Sequence, residues 1–416
     1  MTTNNNMQGS TVSSSPNISS LYREKGPVMV VSEDMNNYTF SSYYQHSRPV
    51  AAMFIFAYIL IFFLCMIGNI VVCFIVLRNK QMRTVTNIFI LNLAISDILV
   101  GLFCLPITLV DNLITGWPFD IVICKMSGLV QGASVSASVF TLVAIAVERF
   151  RCIIYPFQQK LTQRQATVTI AFIWTLAITI MCPSAVTLTV SRDEYHIMVD
   201  SYNRTYPLYT CWEAWPDQDM RRIYTTVLFS HIYLAPVTLI VITYACIALK
   251  LFKSAATIRD AHAEDDGQRV SRKKIRVINM LIIMALLFTV SWLPLWTLML
   301  LTDYGNLTAS QLKLATVYIF PFAHWLAFFN SSVNPIVYGY FNENFRRGFQ
   351  AAFKFQLCFT EMENHHRATA RRAGIWTHNR VFAEAPPDCS DEQKNRKRKG
   401  ILDGKIQNEL VLEDLE

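Results

Sequence analysis

The chain is 416 residues long, 52% hydrophobic and only 16% charged, whereas soluble domains contain about 25% charged residues. This composition excludes an ordinary soluble protein. The formal net charge is +7, and thirteen Lys or Arg residues lie after position 341. We interpret this charge as a sign of membrane orientation and expect no nucleic-acid partner.

Seven long apolar runs follow one another along the chain. Each is longer than the roughly 20 residues that a helix needs to cross about 30 Å of hydrocarbon. One such run also suits a buried helix of a soluble core, but seven in series do not. The sequence therefore predicts an all-α membrane protein, a seven-transmembrane helix bundle over residues 51–341. The runs are 51–77, 86–110, 122–147, 166–189, 223–249, 277–301 and 313–340.

Lys and Arg residues in the connecting loops predict the orientation, because cytoplasmic loops carry the excess. The first, third and fifth loops contain three, four and eight of them, whereas the loops at 111–123 and 303–313 contain none and one. We therefore expect an extracellular N-terminus, a cytoplasmic tail and a multi-pass location in the plasma membrane.

Polar segments flank the predicted bundle. Residues 1–50 are rich in Asn and Ser and predict a disordered, glycosylated extracellular segment. Residues 358–416 predict a disordered cytoplasmic tail. Glycosylation sequons on the predicted extracellular side lie at Asn17, Asn37, Asn203 and Asn306.

Two of the ten cysteines, Cys124 and Cys211, occupy predicted extracellular positions. The others lie in or beside the spans or in the predicted cytoplasmic tail, where thiols stay reduced. The sequence predicts a disulfide between these two, which would tie the 190–220 loop to the outer end of the third helix.

Polar residues recur along single faces of the predicted helices. Separations of 7 and 11 residues return within about 20° to the same face of a regular α-helix. One polar residue in a span is commonly a contact between helices, but stripes on several helices predict a ligand-accessible interior. Asp97 is the most costly member, at about 3 kcal/mol near the membrane centre. The stripes are Asp97 with Thr108, Gln131 with Ser138 and Arg149, Trp292 with Asp303, and His324 with Ser331 and Tyr338.

Two prolines follow polar or aromatic residues in a way that suggests hinges. Pro294 lies two residues after Trp292, and Pro335 follows Asn334. Farther on, residues 342–357 place Phe side chains four residues apart beside basic ones, which predicts a short amphipathic eighth helix on the inner leaflet. Cys358 is then expected to be palmitoylated.

Seven short motifs occur in order along the spans. The whole set resembles the rhodopsin-like (class A) G protein-coupled receptors. Glu148 departs from the family's usual Asp but keeps the charge, and Ser291 stands where Cys is common. The motifs are GN with Asn69, LAISD with Asp97, ERF at 148–150, Trp174, Pro236, SWLP at 291–294 and NPIVY at 334–338.

The resemblance implies an ion site and a switch. Oxygen ligands suit Na⁺, which would bind as an allosteric modulator; no other cofactor is expected. The expected sodium ligands are Asp97, Ser138, Asn69, Asn330 and Ser331. The expected switch residues are Trp292, Arg149, Glu148, Tyr338, Tyr244, Asn334 and Pro335. Arg149 would pair with Glu148 at rest and meet a heterotrimeric G protein after activation. Arrestin is a further expected partner.

Longer stretches, at 85–119, 128–146, 291–304 and 321–350, are similar to the neuropeptide FF receptors, which bind peptides ending in Arg-Phe-amide. This resemblance implies inhibitory G proteins and a site where Asp303 binds the peptide's Arg. The amidated Phe would then lie deeper in the bundle. The expected peptide-binding residues are Asp303, Gln131, Thr108, His324, Glu213 and Trp296.

Other functions remain open on the sequence alone. One is a receptor for neuropeptide Y or another amidated peptide. Another is a transporter or channel, although the seven spans contain no inverted repeat and no ring of charges. No catalytic constellation occurs, so we do not expect an enzyme.

Overall fold

The structure, a computed structural model, describes residues 38–260 and 265–352, apart from the side chains of 252–274. In this part of the chain seven helices are long and apolar enough to cross a membrane, which confirms the predicted bundle. They are α1 (Arg48–Arg78), α2 (Val85–Leu113), α3 (Ile121–Ile154), α4 (Gln163–Thr187), α5 (Gln218–Leu251), α6 (Ile275–Tyr304) and α7 (Ala309–Phe341).

Helical backbone extends beyond two of these spans. The helix of α5 continues to Asp260, and that of α6 begins at Asp265. A further helix, α8, covers residues 343–352, which is the described part of the predicted amphipathic segment 342–357. The predicted modification sites Asn17, Asn37 and Cys358 and the tail at 358–416 lie outside the described residues.

Short polar side chains begin the helices. The Asp120 carboxylate accepts a hydrogen bond from the Ile123 amide at the start of α3. Thr162 and Thr308 each form a capping box, with the Gln three residues later, at the starts of α4 and α7. These bonds satisfy N–H groups that have no partner within the first helical turn.

α3 lies at the centre of the bundle and α4 at its margin. Of the most apolar stretch of each helix, 61% is buried within the protein in α3 but only 22% in α4. Asn92 of α2 joins these two helices: its Nδ2 donates to the Thr141 hydroxyl (2.8 Å), and its Oδ1 accepts from the Trp174 indole (2.9 Å). Exposed apolar side chains on the outside of the bundle face the region that the membrane lipid would occupy.

A three-stranded sheet covers one end of the bundle, which we call the outer end; the opposite end is the inner end. Strands β2 (Leu188–Val199) and β3 (Thr205–Glu213) form an antiparallel hairpin. Strand β1 (Thr39–Ser42) adds to β2 in parallel. The prediction treated 188–213 as a helix end and a loop, whereas the structure forms two strands there. Within the segment 1–50, which was predicted to be disordered, the described residues include β1 and the start of α1 at Arg48.

Three helices contain a π-helical segment in their outer half. These segments are Val100–Cys104 in α2, Phe229–Leu234 in α5 and Ala315–Ile319 in α7. A proline follows each segment by two residues: Pro106, Pro236 and Pro321. A proline ring clashes with the carbonyl four residues earlier, which here lies within the segment, and a wider turn relieves that clash.

A π segment changes the face that later residues occupy. It contains one more residue than a regular turn, which shifts the following residues by about 100° around the helix. Val100–Cys104 lies between Asp97 and Thr108, so these two residues do not share the face that regular spacing predicted. The stripes of α3, α6 and α7 contain no such segment.

Candidate functional site

A cavity of about 260 Å³ lies at the outer end between α5, α6, α7 and the end of β3. Three residues predicted to bind peptide line it: Asp303, His324 and Glu213. Apolar side chains such as Leu295 and Met299 form other parts of the wall. The cavity thus combines two carboxylates, the Arg221 guanidinium and an imidazole with apolar surface.

The side chain of Asp303 is a buried charge of this cavity. Its side chain is 5% exposed, and Nη2 of the half-exposed Arg221 lies 3.0 Å from its Oδ1. The neighbouring Arg222 donates from Nε to the backbone carbonyl of Asp303 (2.9 Å). The pair with Arg221 compensates the buried charge, and the two arginines join the outer ends of α5 and α6.

The other lining groups have local partners. Nδ1 of His324 lies 2.9 Å from the carbonyl oxygen of Phe320. This nitrogen must donate, so Nε2 is the acceptor of the ring. Oε2 of Glu213 accepts a hydrogen bond from the Trp215 indole (2.8 Å).

The remaining predicted peptide-binding residues do not line the cavity. Gln131 and Thr108 are half-buried elsewhere in α3 and α2. Trp296 is buried, with its ring 5.8 Å from that of Phe229. Its Nε1 has no hydrogen-bond partner among the described residues, which leaves a buried donor available.

The predicted disulfide between Cys124 and Cys211 is present. It fixes β3 to the outer end of α3, where Trp117 and Leu188 pack around it. Glu213 follows Cys211 by two residues, so the covalent bond also fixes the position of that carboxylate at the cavity.

Asp97 lies deeper in the bundle and is only 1% exposed. Its Oδ2 accepts a hydrogen bond from Nδ2 of Asn334 at 2.8 Å. Sequence reasoning placed Asn334 at a hinge and did not foresee it as the partner of Asp97. Two expected sodium ligands have other partners: the Ser138 hydroxyl bonds that of Ser96 (2.8 Å), and the Asn69 amide donates to the Ser331 carbonyl (3.0 Å).

Two of the expected sodium ligands have side-chain oxygens that remain available for a small hard cation. The side-chain oxygens of Asn69 and Asn330 are buried and have no hydrogen-bond partner among the described residues. Amide and carboxylate oxygens are ligands that such a cation prefers. The donor set therefore suits Na⁺.

At the inner end, Arg149 and Glu148 form a two-point ion pair. Nε and Nη2 of Arg149 lie 2.5 and 2.6 Å from the two carboxylate oxygens. The hydroxyl of Thr86 accepts from Arg149 and donates to Glu148 (3.2 Å). Tyr244 and Tyr338 are buried, and the Tyr338 hydroxyl has no partner among the described residues.

The other expected switch residues, Trp292 and Pro335, pack inside the helix bundle. Trp292 is buried, and its ring lies 6.1 Å from that of Phe288. Pro335 packs against Gly68 of α1, where a Cβ would lie 2.8 Å from the proline ring. α7 and α1 therefore meet at a contact that accepts only glycine on one side.

Comparison with known protein families decides the class of this bundle. The sequence matches the protein family described as 7 transmembrane receptor (rhodopsin family). The match covers residues 68–338, well over half of the chain. The chain belongs to this family. It is a G protein-coupled receptor, which rules out the transporter or channel alternative, and its relatives are receptors rather than enzymes.

This rhodopsin-family receptor is similar to several named receptors. It is 68% identical to Neuropeptide FF receptor 1 of Homo sapiens over 354 residues, covering 85% of this chain and 82% of the relative. Identity to Neuropeptide FF receptor 2 of Rattus norvegicus is 61% over 320 residues, 77% of this chain and 76% of the relative. The Pyroglutamylated RF-amide peptide receptor of Mus musculus is 32% identical over 320 residues, 74% of this chain and 72% of the relative.

Proposed function

We propose that this protein is a plasma-membrane receptor for amidated peptides of the RF-amide class, similar to neuropeptide FF, and that it signals through inhibitory heterotrimeric G proteins. The names of the relatives support the ligand class. The single observation that carries the proposal is the buried carboxylate of Asp303 in the outer cavity.

Asp303 binds the arginine of the peptide's Arg-Phe-amide end. A guanidinium and a carboxylate form a charge-assisted, often bidentate pair, and a site that excludes water strengthens it. Glu213 supplies a second carboxylate in the same cavity. An acidic mouth also attracts a cationic peptide before it docks.

The amidated Phe binds more deeply, toward Gln131, Thr108 and Trp296. A terminal amide both donates and accepts hydrogen bonds. Nε2 of His324 can accept from it, and the unpartnered indole N–H of Trp296 can donate to it. A free carboxylate in place of the amide would lose the donating half of this recognition.

Signalling uses the deeper sites. Asp97 and the amide oxygens of Asn69 and Asn330 would hold Na⁺, whose charge would offset the buried carboxylate in the inactive arrangement, and activation would contract that pocket. At the inner end Arg149 leaves Glu148 and meets the G protein, with Tyr244 and Tyr338 moving in beside it. Both steps bias one two-state element, so ligand and G protein affinities are coupled. Arrestin binds the same activated inner end.

The sheet end of the bundle faces the outside of the cell. The disulfide lies at this end, as an oxidising compartment favours, and the exposed sequon residues Asn203 and Asn306 lie there too. Glycosylation of both residues is part of this proposal. The N-terminus then lies outside the cell.

A double-mutant cycle on Asp303 tests the proposal. Loss of one partner of a buried pair costs about 2–5 kcal/mol, about 30- to 4,000-fold in affinity. Asp303→Ala should weaken an Arg-Phe-amide peptide by an amount in this range and hardly change the affinity of the same peptide with citrulline in place of Arg. Competition binding with both peptides measures the cycle.

Asp219→Ala is the matched control, because this carboxylate is exposed at the start of α5 and pairs with Arg222. It should leave the preference for Arg over citrulline unchanged, since an exposed pair contributes under about 1 kcal/mol. If Asp303→Ala weakens both peptides by the same factor, Asp303 does not contact the peptide arginine, and Glu213 becomes the candidate.

A screen of amidated peptides tests the ligand class more broadly. Cells that express this chain should lower cyclic AMP in response to Arg-Phe-amide peptides. The free-acid form of the same peptide should be much weaker. A stronger response to neuropeptide Y would contradict the proposed class and favour the alternative receptor.

A further inference from the structure

The carboxylate of Asp303 already has a guanidinium partner from the receptor itself. Arg221 of α5 contacts it at 3.0 Å, and both residues line the outer cavity. The place where a peptide arginine would bind is thus taken by a chemically identical group. This inference rests on the proposed function, because it assumes that the peptide's arginine binds Asp303.

We propose that Arg221 is an intramolecular competitor that holds the arginine subsite of Asp303 until a cationic peptide displaces it. A peptide arginine exchanges one charge-assisted pair for another. A neutral side chain offers no replacement, so it leaves Asp303 with Arg221 and gains nothing at this subsite. Arg221 therefore lowers the affinity of the receptor for an arginine peptide by competing for the same carboxylate, whereas the affinity for a neutral analogue does not depend on it.

The exposure of the two partners supports an exchange. The Asp303 side chain is 5% exposed, whereas that of Arg221 is 52% exposed. A half-exposed arginine can rotate into solvent at small cost, since its charged end keeps water contacts. The buried carboxylate cannot follow it. Displacement therefore moves Arg221 and leaves Asp303 in place for the peptide.

The junction between α5 and α6 does not depend on Arg221 alone. Arg222 donates to the Asp303 carbonyl, which the peptide does not need. The Tyr304 hydroxyl bonds the Thr226 hydroxyl (2.7 Å) and donates to the Arg222 carbonyl (3.2 Å). These contacts remain when Arg221 leaves, so exchange at the carboxylate does not require the two helix ends to separate.

A second carboxylate is available for the displaced arginine. Glu213 lines the same cavity at the end of β3, where the disulfide holds it. Arg221 can therefore pass from Asp303 to Glu213 while the peptide arginine takes its place. Both cations then lie in the cavity with two carboxylates, and the net charge remains balanced.

The decisive variant is Arg221→Ala. In this variant the peptide arginine meets a carboxylate that has no competitor. We expect the affinity of an Arg-Phe-amide peptide to rise about 3- to 30-fold. The affinity of the citrulline peptide should change less than about twofold, so that the ratio between the two peptides widens.

Two further variants separate competition from other effects. Arg221→Lys keeps the charge and should stay near the wild-type affinity for both peptides. Arg204→Ala removes another extracellular arginine, which is paired with Asp200 on the hairpin. It should give no gain, because it does not compete for Asp303. Surface expression of each variant is measured in parallel, and Arg221→Lys supplies the comparison if the alanine variant folds poorly.

The same substitution in the Asp303→Ala background identifies where Arg221 acts. There Arg221→Ala should change the peptide affinity less than about twofold, because the subsite no longer exists. An unchanged or weaker Arg-peptide affinity in Arg221→Ala alone overturns the inference, as does an equal gain for the citrulline peptide. If Asp303→Ala itself spares the Arg peptide, the proposed function fails instead, so the two failures are distinguishable.

Discussion

Asp97 and Asp303 are both buried carboxylates in a membrane protein, but their partners differ in charge. Asp97, at 1% exposure, receives a hydrogen bond from the neutral amide of Asn334. Asp303, with its side chain 5% exposed, pairs with the cation of Arg221. Among the described residues the first carboxylate has no cationic partner, and the second has one.

The difference indicates how each site takes a cation. A carboxylate with a neutral partner can bind a small cation without releasing any other group, and the bound ion offsets the cost of burying the charge. A carboxylate with a cationic partner takes another cation only by exchange. The deep site therefore suits a modulator that comes and goes, whereas the outer site suits a ligand that must compete.

Loss of the disulfide should have the largest effect, because it disturbs the outer of the two sites compared here. Removal of a native disulfide costs about 2–5 kcal/mol, and here it also frees β3 with Glu213. Cys124→Ser and Cys211→Ser should each reduce peptide-binding sites at the cell surface at least about tenfold. Cys182→Ser, at an exposed free cysteine of α4, is the control and should bind normally. Normal binding in both disulfide variants would contradict the prediction.

Asp97→Asn should remove the effect of sodium on agonist binding, because the ion loses the one full negative charge of its expected ligands. Agonist affinity is measured with and without added Na⁺, with a large organic cation to hold ionic strength constant. Asp303→Asn serves as the comparison and should keep the sodium effect. A sodium effect of wild-type size in Asp97→Asn would place the ion elsewhere.

Glu148→Gln should raise basal G protein activation several-fold. Hydrogen bonds to a charged group contribute about 1.5–3 kcal/mol each, and the neutral amide weakens the hold on Arg149 in the inactive state. Nucleotide exchange without agonist measures the change. Glu343→Gln is the control, because its pair with Arg276 is exposed and should contribute little. Equal basal activity in both variants would mean that the Glu148 pair does not restrain the receptor.

The smallest expected effect concerns His46, just before α1. The centroid of its ring lies 5.1 Å from that of Phe54 and 5.5 Å from that of Tyr318. Burial lowers the pKa of His46 below its usual value. The folded state therefore binds fewer protons than the unfolded state once the pH falls below about 6.5. Stability should then fall as the pH falls from 7 to 5.5.

His46→Gln should remove that contribution. The decrease in Tm between pH 7 and 5.5, measured in detergent, should become smaller by less than about 3 °C. An unchanged pH dependence in the variant would show that protonation of His46 does not oppose folding.

The spans and the disulfide were predictable because each depends on one local property. A helix that crosses a membrane needs a long apolar run, and a disulfide needs two cysteines on the oxidising side. The neighbours Arg149 and Glu148 could likewise be paired from their positions in the chain. Their roles in switching remain predictions.

The partners of the buried carboxylates were not predictable in the same way. Asn334 reaches Asp97 from α7, and Arg221 reaches Asp303 from α5, so both contacts depend on how the helices pack. Arg221 was visible in the sequence only as one of several positive charges in the outer loops. No spacing rule within one helix identifies a partner on another.

The sequence of the hairpin contains a strand signal that is independent of apolar runs. Leu188–Val199 and Thr205–Glu213 are rich in Thr, Val and Tyr, which favour strands. Asn203 lies between them with a positive φ of 59°, as turns often require. The face of Thr108, in contrast, was mispredicted because the rule of 7 and 11 residues assumes a regular helix.

The three π segments have a consequence for how receptors of this kind can diversify. Deletion of one residue within Val100–Cys104 would restore a regular helix and turn only the outer end of α2, by about 100°. The inner part, with Asp97, would keep its register. The same holds for α5 and α7. Single-residue insertions and deletions at these places offer evolution a route to new ligand preferences while the machinery that meets the G protein is inherited unchanged.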